Sequence, residues 1–324
     1  MRRNDCLDLI KCIACIGVVF IHVTFPGQFG QNLAVMFHWA VPFFIMVSGY
    51  YAFGCDETVV KRKLLKILRI LLFGTVLFFL ISVIYPIKDN RLMFWLAENF
   101  NQRTLPYLFV FCTIRWAIQL WYLIAMAETY LLWLLAVKRG WQDAMVKMTW
   151  PLFLIGFIWG LWIQSLNLDE QRIWSYQKIF LLSALPWFLL GYLMRERYSA
   201  FWKRIGNKQL LAAAFTGFML LVFFRSVVGA AYFGRIVVAS SIFMLGLKNP
   251  EIKIGKTAAY VGNKLSLYVY VYHTCIAGIC SMFFSFIGIN TDGAYLYVQP
   301  LITVLLTVLA AMGTQRLVSR QKTA

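Results

Sequence analysis

Three residues near the start of the chain combine reactive chemistry with regular spacing. The stretch "LDLIKCIACIGVVFIH" carries Asp8, Lys11 and His22 inside an otherwise apolar run. In a helix each residue turns about 100°, so the steps from Lys11 to His22 end within about 20° of whole turns. Those from Asp8 to His22 end within about 40° of whole turns. All three side chains therefore share one stripe, with His22 about 16 Å beyond Lys11 along the axis. Asp8 and Lys11 stand at i, i+3 and can pair. A snorkelling ion pair at the helix end explains those two as well as catalysis does. His22 is harder to dismiss, because ionisable groups inside a membrane span mark function by default. Burial at that depth would keep its ring neutral and basic.

Other candidates lie further along. His38 stands four residues before Pro42 in "NLAVMFHWAVPFFIMVSGYYAF", in the outer half, where it can share a cavity with His22. Pro42 should kink this helix, and Ser48-Gly49 should admit a closely packed neighbour. "KRKLLKILRILL" gathers Lys61, Arg62, Lys63, Lys66 and Arg69. Such a cluster suits a phosphate-rich ligand or anionic lipid headgroups. Glu128 interrupts an apolar run, as either a structural hydrogen-bonding group or a functional acid. "GNKLSLYVYVYHTC" puts Ser266, Tyr270 and His273 on one helical face, with His273 near mid-membrane, either as a structural buried histidine or a catalytic one. Arg115, Arg225 and Arg235 lie near span ends, where they would anchor the helix or line a cavity.

The elements that must position these groups are membrane helices. The 324 residues are 61% hydrophobic and 14% charged, far from the roughly 25% charged residues of a soluble domain. Ten segments approach the ~20 apolar residues a spanning helix needs: 8–26, 32–53, 67–87, 117–137, 145–164, 176–194, 209–227, 229–247, 258–286 and 296–315. The ninth is long enough to be tilted or broken. Segment 93–112 reads as an interfacial helix with a re-entrant turn at Pro106, or as an eleventh span. The net charge of +18 decides between these. With ten spans and both termini cytoplasmic, Arg2, Arg3 and the basic clusters at 61–69, 138–147, 195–208, 248–256 and 316–322 all face the cytoplasm. The outer side then holds only isolated Lys88, Arg91, Arg103, Arg115, Arg172, Lys178 and Arg225. That is the positive-inside pattern, and it excludes nucleic acid as the meaning of the charge. The expected fold is an all-α polytopic bundle in the cell membrane. It forms a single domain over 1–324 without a separate soluble domain, and its partner is the lipid bilayer.

The seven cysteines, Cys6, Cys12, Cys15, Cys55, Cys112, Cys275 and Cys280, form no CxxC pair. Neither a disulfide framework nor a metal site is expected. The first apolar run follows "MRRND" without a small-residue cleavage site, so it is expected to be retained. A G-x-S-x-G elbow, a P-loop, H-E-x-x-H and G-x-G-x-x-G are all absent, which argues against an attached esterase, an ATPase or a zincin.

Taken in order, these stretches resemble the acyltransferase 3 family of integral membrane proteins. Asp8, Lys11 and His22 match its D-x-x-R-x10-H, with lysine where arginine is commoner. "VPFFIMVSGY" is similar to its second-span motif, and Lys66 and Arg69 fall at its R-x-x-R. "LWYL", which contains Trp121, "PWFLLGYLM" and "LSLYVYVYH" resemble three further elements. In size the chain resembles stand-alone O-acetyltransferases of surface polysaccharides. The resemblance implies transfer of an acyl group, acetyl foremost, from acyl-CoA to a carbohydrate hydroxyl. His22 is then the general base or an acyl relay, with Lys11 and Asp8 beside it in the catalytic motif. Lys66, Arg69 and Arg62 bind the donor, acetyl-CoA. His38, Ser48, Arg115, Trp121, Glu128, Tyr270 and His273 line the substrate cavity. Two other classes stay open: a transporter, whose pathway would also hold buried ionisable groups, and a non-catalytic sensor or scaffold.

Overall fold

A computed structural model describes residues 4–166, 168–197, 202–252, 255–288 and 293–321, and every regular element among them is a helix. Arg2, Arg3, Lys253 and Lys322 of the charge pattern lie outside the described residues. Each expected span coincides with helix. The helices are Asp5–His22, Gly27–Met36 with Ala40–Tyr50, Glu57–Ser82, Trp121–Arg139, Thr149–Ser165, Phe180–Ser183 with Leu185–Arg197, Asn207–Phe223, Val228–Lys248, Ser266–Phe286 and Ala294–Gln321. Six stretches among the described residues are long and apolar enough to cross a membrane: Gly27–Tyr50, Glu57–Lys88, Arg115–Arg139, Val228–Lys248, Lys256–Phe286 and Ala294–Arg320. Thr149–Ser165 and Asn207–Phe223 are apolar but shorter. The protein is a multi-pass, all-α membrane protein.

Segment 93–112 forms two short helices, Leu92–Asn99 and Thr104–Phe109. At about 12 and 9 Å they cannot cross a hydrocarbon core of about 30 Å. The turn expected at Pro106 is not there. Pro106 sits in the first turn of its helix, where a missing N–H leaves no helical bond unmade. The chain instead turns just beyond, at Cys112, which is held in the left-handed region at φ 48°. Phe79 of the Glu57–Ser82 helix anchors the segment through Trp95, Phe100 and Trp116, with ring centroids at 5.8, 6.2 and 6.0 Å.

The chain divides into two compact units, Met1–Phe44 with Lys203–Ala324, and Ile45–Trp202. In the first, Asp5–His22 is the central helix. Cys12, Cys15, Val19 and Val23 pack against Val261, Leu265, Val269 and Ala311. Asn4 caps its start by accepting from Leu7 N at 2.9 Å, and its own amide donates to Gly246 O at 3.0 Å. Asp5 N donates to Pro250 O at 3.2 Å. The start of the first helix is thus tied to the end of Val228–Lys248. The expected kink before Pro42 is a full break at residues 37–39. Proline cannot donate to the carbonyl four residues back and its ring crowds that position, which here is His38.

In the second unit, residues 45–50 of the Ala40–Tyr50 helix and Leu185–Arg197 pass backbone to backbone. A Cβ on Gly49 would stand 1.9 Å from Phe188 O, and one on Gly191 would stand 2.0 Å from Met46 O. Each glycine therefore clears the way for a carbonyl of the other helix. Trp133, Phe188 and Tyr192 fill the space beside this seam, with centroids 5.4 and 4.8 Å apart.

Candidate active site

The first unit brings together the histidines at both ends of the chain. The ring of His22, last residue of the first helix, lies 5.0 Å from the ring of His273, centroid to centroid, at 50°. Sequence separation hides this pairing; the register of two parallel helices creates it. Gly262 is where they meet. A Cβ there would lie 1.8 Å from Asp8 O and 2.9 Å from Cys12 N. Counting up from that contact at about 1.5 Å per residue brings His22 and His273 to the same level.

The ninth span, expected to be tilted or broken, is interrupted by a π-helical turn over Val261–Leu265, between Lys256–Tyr260 and Ser266–Phe286. Such turns recur at functional sites because they re-aim the side chains around them. Here the turn presents Asn263, whose Nδ2 donates to Asp8 Oδ2 at 2.9 Å. The other carboxylate oxygen of Asp8 accepts from Lys11 Nζ at 3.2 Å. Asp8 is buried, so both bonds compensate its desolvation. Asp8 lies about 21 Å below His22 along the axis, and its partners are Lys11 and the π turn. Asn263 was not singled out by spacing; a Gly-Asn-Lys run inside an apolar segment was the available signal.

His273 is completely buried. Its Nδ1 donates to Tyr270 O at 2.7 Å, so its Nε2 carries the lone pair. That Nε2 is sealed from solvent and has no hydrogen-bond partner among the described residues. The Tyr270 ring lies 6.1 Å from the His273 ring. His22, expected to be buried, is exposed. It ends its helix, and the chain leaves helical geometry at Val23. Desolvation is therefore not what would keep it neutral. His38 is also exposed, in the break at 37–39. The residue of that break that packs on the first helix is Phe37, whose ring lies 6.2 Å from Phe20 and over Gly17.

The remaining candidates belong to the second unit. Arg62, Lys66 and Arg69 are exposed along one stripe of the Glu57–Ser82 helix, and the stripe continues through exposed Phe73, Val76 and Leu80. Lys63 turns inward and donates to Tyr51 O. Glu128 accepts from the Cys112 thiol at 3.2 Å. Burial, and after it the Glu128 charge, push that thiol up from its ordinary range, so it remains a donor. Lys178 Nζ stands 4.1 Å from the centroid of the Trp121 ring, a cation–π contact. Ser48 O accepts from Tyr130 OH at 3.5 Å. Arg115 donates to Glu98 O at 2.8 Å and, with Asn101, Gln102 and Arg103, lines an open depression of about 380 Å³.

A family model described as an acyltransferase domain matches residues 4–314. No curated protein and no solved structure matches the chain.

Proposed function

From the premise that the chain belongs to this family of membrane acyltransferases, the acyltransferase 3 family, we propose that it moves an acetyl group from cytoplasmic acetyl-CoA to a hydroxyl of a cell-surface or lipid-linked carbohydrate. The observation that carries this reading is the His22–His273 pair: one imidazole exposed at the end of its helix, the other buried with an unpartnered Nε2. His22 takes the proton of the acceptor hydroxyl as the oxygen attacks the thioester carbonyl. His273 Nε2 receives the other N–H of His22 when substrate is bound, directing the reactive nitrogen outward. This is the division of labour between a base and its orienting group. His273 is in turn held by the Tyr270 carbonyl. Asp8, Lys11 and Asn263 act at a distance, by fixing the first helix against the π turn.

Arg62, Lys66 and Arg69 are the proposed ligands of the CoA phosphates, a role in which guanidinium and ammonium groups serve well. His38, Ser48, Arg115, Trp121 and Glu128 remain proposed cavity residues. The family match spans both units, which supports reading the chain as one transmembrane acyltransferase domain; the asymmetry of basic residues supports ten spans with both termini in the cytoplasm of the host's cell membrane.

The test uses membranes containing the full chain, labelled acetyl-CoA and glycan extracts of the host envelope. Label should move to glycan with the wild-type protein and stop with His22→Ala. Uptake of glycan without transfer would replace the enzyme with a carrier. Neither transfer nor uptake would leave a scaffold.

A further inference from the structure

Arg235 lies inside the Val228–Lys248 helix, in the same unit as His22 and His273. It is half-buried as a residue, yet its Nε is sealed from solvent and has no hydrogen-bond partner among the described residues. No carboxylate pairs with it there either. A guanidinium in a membrane span is costly without a partner; Tyr232 lies near it, but the Nε is left with no acceptor among the described residues, so an anionic or strongly polarised group of a bound molecule would be held there.

Register places it beside the histidine pair. The start of the first helix and the end of Val228–Lys248 are bonded together through Asn4 and Gly246. Where a Cβ on Gly246 would stand, Leu7 and Ile10 side-chain atoms lie 2.6 and 2.8 Å away. The two helices pack against each other and run in opposite directions from that end. From Gly246 back to Arg235 is about 16 Å, and from Leu7 and Ile10 up to His22 about 22 and 18 Å, so the two residues lie within about one helical turn of each other in depth. The same eleven residues make three turns to within about 20°. Arg235 thus shares the face of Gly246, the face turned to the first helix. On the first helix, His22 falls about 90° from the side that meets Gly246 and about 60° from the side that meets Gly262. It projects towards the groove between the helices that carry Arg235 and His273.

We propose that Arg235 is a further catalytic residue, whose guanidinium binds the acyl carbonyl oxygen as it becomes an oxyanion in the groove where His22 acts. The proposal rests on the acyl-transfer reading. As the acceptor O–H gives its proton to His22, its oxygen forms a bond to the carbonyl carbon and the carbonyl π pair moves onto oxygen, against Arg235. Collapse restores the C=O bond and expels the CoA thiolate, which takes the proton from His22. The products are the O-acyl ester and CoA thiol. A fixed charge aimed at developing charge is an effective form of stabilisation. A neutral acyl group also asks no permanent anion to enter the membrane.

Full-length protein in nanodiscs, with acetyl-CoA and a glycan fraction that the wild type acetylates, tests this. Arg235→Met should lower kcat by about 10²- to 10³-fold, leave KM for acetyl-CoA within about threefold, and melt close to wild type, since an apolar side chain replaces a half-buried one whose Nε makes no hydrogen bond among the described residues. A raised KM with retained kcat would make Arg235 a ligand of the CoA phosphates and overturn the proposal. Retained kcat and KM would overturn it too. If Arg235→Met does not fold, the same split is read on Arg235→Gln. Retained turnover in the Arg235 variant beside a dead His22→Ala sinks the role of Arg235 alone; a wild type that transfers no label sinks the acyl-transfer reading with it.

Discussion

The two histidines differ in exposure: His22 ends its helix and is exposed, and His273 is fully buried with Nδ1 donating to Tyr270 O, a difference on which the proposed division between base and orienting group rests. Loss of a general base typically costs about 10²- to 10⁴-fold in rate, and that fall is expected in the transfer rate of His22→Ala. His273→Phe keeps an aromatic ring in the same space but removes the lone pair. It should cut kcat by about tenfold or more with KM for the acceptor little changed; unchanged kcat would make His273 a packing residue only. Asp8 belongs to stability. Asp8→Ala removes the acceptor of Lys11 Nζ, which is partly buried, and of Asn263 Nδ2, whose residue is exposed. A loss of about 1–3 kcal/mol is expected, read as a lowered melting temperature in detergent, whereas Asp8→Asn, which keeps an acceptor oxygen, should lose less.

Among the elements, close backbone approach decides where side chains end up. Gly262 lets the π turn touch the first helix, and that contact sets the register bringing His273 level with His22. In Gly262→Val the new side chain must displace Asp8 O or Cys12 N. Overpacking of this kind costs about 1–3 kcal/mol or more. Activity should fall further than the loss of folded protein explains, because the histidine pair slips out of level. Gly49→Val or Gly191→Val should destabilise comparably by parting the second unit's helix seam; normal melting in both would mean the seam relaxes at no cost. Pro42 made a kink legible, though not the full break at 37–39. The π turn was not legible, because no local sequence rule specifies an i→i+5 bond.

At the scale of the molecule, charge organises the chain. Reporter fusions should place residue 321 in the cytoplasm and residue 288 outside; the reverse result would reject the ten-span topology. Arg62, Lys66 and Arg69 are exposed, so their attraction for a phosphate ligand is screened by salt. Lys66→Gln with Arg69→Gln should raise KM for acetyl-CoA about tenfold and flatten its salt dependence. If KM stays put and turnover instead tracks the anionic lipid content of the nanodisc, the stripe, which runs on into Phe73, Val76 and Leu80, holds lipid headgroups.

By itself the sequence determined that this is a helical, multi-pass membrane protein. Apolar runs and the asymmetry of basic residues follow from the cost of exposing backbone and charge to lipid, and that cost acts locally. It also determined the stripe of Asp8, Lys11 and His22, since a helix has one period. Only the tertiary structure decided that His22 is exposed, that His273, distant in the chain, faces it, and that Asp8 has Asn263 as a partner. The first follows from where the first helix ends, and the other two from register between helices at Gly262, where the absence of a side chain matters only once the neighbouring helix is known.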